Sequence, residues 1–361
     1  MRTPSYEPLD AALDILFGYG PSLANGNFSH APMVAETLCA LGHPEAVMPW
    51  IERYEERIVA REPAGEPAAG EPIRPLEWRG ALGQRDRFAA WSALFAEELR
   101  DRGWPEVLEL WVGRLAPGVS TAATHGAIRV GHAVRALSVG QSPQRLRELA
   151  DALASWASLY SELPTIGDLA NGALTPRQAI ILVPIVPPQR RRPGNIAAAL
   201  AGLGEFPEFA PAINFADLDG DIDSLLAELT ELFARVYLAN VSNGLTAIVF
   251  VHGVTSLTAL GHIVPFVGDA TARTLLRYGW QAGCGLYACF GNGAGFVAEV
   301  AAAEDEDAQS LSARALIDRA LSHGGEHVIK FTEACLLRHA LQSSPAYPAA
   351  VANALSAIGT R

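Results

Sequence analysis

The chain has 361 residues, half of them hydrophobic and 18% charged, with a formal net charge of −12. That composition suits a large buried core rather than disorder, and the acidic balance argues against a nucleic-acid backbone as partner. Four cysteines, Cys39, Cys284, Cys289 and Cys335, show no Cys-x-x-Cys spacing and read as buried thiols of a reducing cytoplasm.

The first fourteen residues include Glu7 and Asp10 and have no apolar core, so they do not read as a signal peptide. Apolar residues then recur at three- and four-residue intervals over residues 9–17, 28–41, 45–60 and 87–99, which predicts helices. Residues 63–75, rich in Pro, Gly, Ala and Glu, read as a solvated loop. Helices are expected again over 104–115, 121–137 and 143–160. The middle is less regular. A short apolar run at 180–188 ends in two prolines, and an irregular loop at 186–195 carries the one basic cluster, Arg190, Arg191 and Arg192.

Further helices are predicted over 221–238, 245–260 and 270–289. Asp217, Asp219, Asp221 and Asp223 alternate, but the later glutamate of a calcium loop is missing, so they read as a capped helix start. Gly291, Gly293 and Gly295 lack the dinucleotide-binding spacing and read as a helix C-cap. Residues 236–268 hold no Asp, Glu, Lys or Arg, long enough in principle for a membrane span. Asn240, Asn243, His252 and His262, with Gly244, Gly253 and Pro265, favour a central buried helix instead. An acidic turn is expected at 304–307, and helices at 310–321, 326–341 and 346–358 close the chain. With no period-two series and no internal repeat, the expectation is an all-α fold: one large helical domain over residues 1–361, or two helical halves sharing a core.

The chemistry concentrates on histidine and lysine. Lys330 is the only lysine, and it follows His327 by three residues, which on a helix places both on one face. Codon bias explains why other lysines became arginine; it also makes the survivor a candidate for a position that arginine cannot fill, because guanidinium stays protonated. Nine histidines are present, and His30, His125, His252 and His327 lie in or at the start of apolar helices, where a polar ring must find a partner. Each alone reads more readily as a core histidine bonded to a backbone carbonyl. Together, on four helices, they suit a metal site in a helical core, with the metal open among Fe, Zn, Cu and Ni. A buried Lys330 amine can capture carbon dioxide as a carbamate, an anionic oxygen ligand. The chain contains neither a Gly-x-Ser-x-Gly elbow nor a His-Glu-x-x-His motif.

Four segments carry a family resemblance: Asn27-Phe28-Ser29-His30 with Leu41-Gly42 beyond it, His125-Gly126-Ala127-Ile128, Val251-His252-Gly253-Val254-Thr255, and Glu326-His327-Val328-Ile329-Lys330. In these the chain resembles the questin oxidase-like family, which includes fungal oxygenases acting on anthraquinones and related aromatic polyketides of secondary metabolism. The resemblance runs through most of the chain and is specific at these four places. It implies a non-haem iron(II) site of four histidines and a carboxylated lysine, here His30, His125, His252, His327 and Lys330. It further implies dioxygen and a small aromatic or polycyclic substrate, oxidised by ring cleavage or Baeyer-Villiger-type insertion, with NADPH as the candidate external reductant. Fungal members tend to read His-Pro-Leu-Ile-His where this chain reads His125-Gly126-Ala127-Ile128-Arg129, followed by His132. His132 and Arg129 are the candidates for substrate contact, against a plain helix-face hydrogen bond or salt bridge. The protein is expected to be cytoplasmic, with no nucleic-acid or membrane partner. Two rival readings are a zinc hydrolase or lyase, in which five ligands would crowd an ion that prefers four, and a non-catalytic helical binding protein.

Overall fold

A computed structural model describes residues 2–61, 71–74, 76–300 and 311–360. The fold is all-α, 68% helix and 3% strand. Most of the expected loop at 63–75 and all of the acidic turn at 304–307 fall outside the described residues. The chain divides into two compact units, Arg2–Glu162 with Ala259–Thr271, and Leu163–Thr258 with Ala272–Arg361.

The first unit holds α1 (Leu9–Leu16), β1 (Tyr19–Leu23), α2 (Ala31–Ala40), α3 (Val47–Tyr54), β2 (Ile58–Ala60), α4 (Trp78–Ala81), α5 (Phe88–Arg102), α6 (Trp104–Leu115), α7 (His125–Val139) and α8 (Pro143–Ser158). Its packing centres on α8, which lies against both α5 and α7, while α2 packs on α7. Ser142 starts α8 by accepting a hydrogen bond from the Arg145 N–H, with Pro143 at the first helical position. Glycine sets how close α7 can come. A Cβ at Gly126 would lie 2.9 Å from the Trp156 indole, and one at Gly131 would overlap the Ala259 carbonyl. Under α5 and α6, Trp91 and Trp111 meet edge to face at 5.5 Å and Phe95 closes on Trp111 at 4.8 Å, an aromatic cluster that is fully buried.

Here the sequence expectation needs correcting in three places. The helix expected over 45–60 ends at Tyr54, and Ile58–Ala60 instead pairs antiparallel with Tyr19–Leu23. Three residues of strand are too few to show a period of two, and Pro21 in the partner is tolerated because this ribbon is all edge. The helix expected from 28 begins at Ala31, and its N-cap is His30, whose side chain makes no capping bond. The helix expected from 121 begins at His125, because Ala122, Ala123 and Thr124 have φ of 50°, 58° and 71°.

The second unit holds α9 (Pro176–Ile181), α10 (Ile196–Ala201), α11 (Ile222–Asn240), most of α12 (Gly244–Ile263) and of α13 (Asp269–Phe290), then α14 (Ala313–His323), α15 (Glu326–Leu341) and α16 (Ala346–Ala357). α16 packs against α11, α14 and α15. Asp221 caps α11 by accepting from the Ser224 N–H at 2.9 Å, as the alternating aspartates suggested. α13 stops at Phe290 and is followed by Gly293 and Gly295 at φ of 87° and 64°. The stretch Gly244–Phe266 is long and apolar enough to cross a membrane by length and composition, yet 78% of its most apolar window is buried inside the protein, as in a core helix. All four cysteines are free and buried.

Candidate metal centre

In the first unit His30 and His125 meet. His30 is held at the mouth of α2 by its backbone N–H, which donates to the Tyr54 hydroxyl at 3.0 Å. The segment before it is pinned to β1 through a Ser22–Phe28 bridge. Both rings are buried, with centres 4.5 Å apart and planes at 63°. Phe28 also stacks on His125, with ring centres 5.3 Å apart and planes at 22°, so that ring packs against both an aromatic face and a second imidazole.

The left-handed turn sets the chemistry of His125. Three consecutive non-glycine residues at positive φ cost about 1–2 kcal/mol each. They curl the backbone so that the Ala122 carbonyl oxygen lies 2.6 Å from His125 Nδ1. A carbonyl only accepts, so Nδ1 carries the proton and Nε2 carries the lone pair, a tautomer that leaves Nε2 as the nitrogen able to bind a metal.

In the second unit the same arrangement appears on regular helices. His252 on α12 directs Nδ1 at the carbonyl of Ile248, 2.7 Å away, with Val249 at 3.3 Å, so its Nε2 likewise carries the lone pair. Its ring centre is 5.4 Å from that of His327, with planes at 69°. Burial, reinforced by the charge of Lys330, pushes His252 down to about 4, so it is neutral at pH 7. Lys330 is buried on α15, and burial pulls its amine down to about 7 against the opposing pull of Glu326. A neutral amine is therefore well populated at ordinary pH.

His132 and Arg129, on the same helix as His125, are bound into carboxylate networks. His132 Nδ1 donates to Glu36 at 2.7 Å; Arg135 grips the same carboxylate through two nitrogens at 2.5 and 2.6 Å, and the Tyr6 hydroxyl donates to it at 2.7 Å. Burial alone would raise the Glu36 carboxyl; the Arg135 charge and the His132 hydrogen bond outweigh it and hold the group well below the usual carboxylate range. Arg129 makes a two-pronged ion pair with Glu148 of α8 at 2.7 and 2.8 Å and donates its third nitrogen to Ser155. Those contacts are a helix-to-helix salt bridge. Sequence reasoning missed Glu36, and the available signal was a lone carboxylate inside the apolar run Ala31-Pro32-Met33-Val34-Ala35-Glu36-Thr37-Leu38. It also missed the Ala122 carbonyl, which no side-chain pattern announces.

In both histidine pairs the ring-centre distances are those of ordinary edge-to-face packing and are also compatible with two imidazoles on one ion. A first-row metal about 2.1 Å from each ring nitrogen lies about 3.3 Å from each ring centre. Ring centres then stand about 4.6 Å apart at a right angle and about 5.3 Å apart at a tetrahedral one. The observed 4.5 and 5.4 Å bracket these values. Comparison with protein-family models and with curated proteins finds no match for this chain.

Proposed function

We propose that this chain is a metal-dependent oxygenase of the cytoplasm in which His30, His125, His252, His327 and Lys330 hold one iron(II) ion. The observation that carries the reading is the doubled arrangement: two imidazole pairs at ligand spacing, each with one Nδ1 committed to a backbone carbonyl. His30, His125 and His327 each offer one ring nitrogen as a ligand atom. Two imidazoles are too few for a metal centre, which uses three or more protein ligands, so the reading requires both pairs to serve the same ion. Four histidines and a carbamate exceed what zinc accepts and suit a metal of higher coordination number.

Iron(II) bound there supplies one-electron chemistry with dioxygen, which side chains alone lack. The residues do the rest. Lys330 in its neutral form adds to carbon dioxide, forming an N–C bond and releasing a proton, and the resulting carbamate offers an anionic oxygen. Glu36 fixes the Nδ1–H of His132, leaving the proton to come and go at Nε2, where it can be taken from a phenolic hydroxyl. Arg129 acts by holding α8 to α7 rather than by touching substrate. The substrate class, an aromatic or polycyclic molecule with a phenolic oxygen, rests on the resemblance to the questin oxidase-like family, as does NADPH as reductant.

Elemental analysis of anaerobically purified protein tests the reading. It predicts about one iron per chain and a carbamate carbon resonance with labelled carbon dioxide that Lys330→Ala removes. Zinc without iron would turn the assignment to a hydrolase or lyase. Absence of metal, together with no oxygen uptake in the presence of phenolic aromatics, would leave a helical binding protein.

A further inference from the structure

The basic cluster of the irregular loop is not used by the metal reading, and the second unit gives it a cavity. A hollow of about 50 Å³ is lined by Arg190, Arg191 and Arg192, with Gly202 and Cys289 among its walls. A single water needs about 10–15 Å³ of such space, so there is room for three or four waters or one small oxyanion.

The charges around it do not balance. Arg192 pairs with Glu205 at 2.5 Å and Arg190 lies 3.7 Å from Glu208; these four side chains are largely exposed, so the pairs are weak and open easily. Arg191 is treated differently. Its Nε donates to the Val186 carbonyl at 3.1 Å and one terminal nitrogen to the Gly291 carbonyl at 2.7 Å. Neutral carbonyls orient a guanidinium without cancelling its charge. Three arginines therefore face two glutamates, a surplus of positive charge in a chain of net −12. Gly202 makes room for this, because a Cβ there would press on the Arg192 side chain at 3.1–3.2 Å. The remaining polar wall is inert: the Cys289 thiol donates to the Ala199 carbonyl, and burial pushes it up to about 12, so it supplies neither an anion nor a nucleophile.

We infer that the Arg190–Arg192 loop is a binding site for a small oxyanion, with Arg191 as its pre-oriented anchor and Arg190 and Arg192 closing on the ligand by exchanging their glutamates for it. The shared chemistry is that of a phosphate or carboxylate group, free or carried on a larger molecule. A fixed guanidinium offers either one a two-pronged contact.

The test is calorimetric titration of the full chain with inorganic phosphate and, separately, with acetate, each against chloride at matched ionic strength. Saturable phosphate binding stronger than about 10 mM is expected, weakened about tenfold or more in Arg191→Gln through loss of a charge-assisted contact. Acetate binding comparably would mark a carboxylate site, and phosphate alone a phosphate site. Because Arg191 also tethers two loops, Gly202→Val serves as the second variant. It leaves both tethering carbonyls in place and narrows the cavity, and it is expected to reduce binding to the same extent. No saturable binding of either anion, a chloride response equal to theirs, or unchanged affinity in a folded Gly202→Val would overturn the assignment.

Discussion

The His30–His125 pair and the His252–His327 pair reach similar ring spacing by different means. His252 and His327 stand on α12 and α15, regular helices in which the carbonyl bonded by His252 Nδ1 is the ordinary one four residues back. His30 and His125 stand at the starts of their helices, and the carbonyl bonded by His125 exists only because three residues run left-handed before α7 begins. One pair is a by-product of helix geometry. The other is held against a backbone cost, and around it lie the buried networks of Glu36 and Glu148 that keep α2, α7 and α8 in place. Strain maintained at such a place is what pre-organised sites show.

If that contrast is sound, substitutions in the first region should cost more than those in the second. The largest effect is expected from Glu36→Gln. It strands the Arg135 guanidinium and the His132 ring beside an amide, a loss of about 3–5 kcal/mol by chemical denaturation. The pH dependence has a definite sign. Glu36 has its carboxyl lowered on folding, so its contribution is complete above the unfolded value of about 4.5 and fades as pH falls below it. Wild type and variant should therefore converge in stability as pH drops from 5 toward about 3; a gap that widens instead would mean that the carboxylate is not held ionised.

Gly126→Ala should follow, since its new Cβ meets the Trp156 ring at 2.9 Å. A loss of about 1–3 kcal/mol is expected, read as a lower denaturation midpoint. The turn itself predicts a gain. Ala122→Gly relieves a left-handed alanine of φ 50° and, after the entropy cost of glycine, should stabilise by about 0.5–1 kcal/mol. A clear loss there would show that the turn is not strained. The mirror substitution in the other region, Gly253→Ala in α12, gains helix propensity while pressing Phe233 at 3.2–3.3 Å, and should change stability by less than about 0.5 kcal/mol.

What the sequence made legible follows the same division. Helices α6 and α15 begin and end where apolar periodicity places them, and Lys330, set within a regular helix, could be given the face of His327 directly from spacing. The irregular features were hidden. Nothing in Thr121-Ala122-Ala123-Thr124 marks a left-handed turn, because alanine avoids that region and only surrounding packing holds it there. The β1–β2 ribbon is hidden by its length, and Glu36 falls within an otherwise apolar predicted helix with no spacing that singles it out. The pairing of His30 with His125 and of His252 with His327 is a tertiary fact that spacing within any one helix does not contain.

The proposed function requires both histidine pairs to serve a single ion, and metal stoichiometry in one variant from each region tests that proposal most directly. His30→Ala and His252→Ala, purified anaerobically beside the wild type and confirmed folded by circular dichroism, should each lose the one iron proposed for the wild type, a fall of about tenfold or more in metal affinity. Retention of full metal by either variant, or half the metal lost in each, would contradict a shared centre.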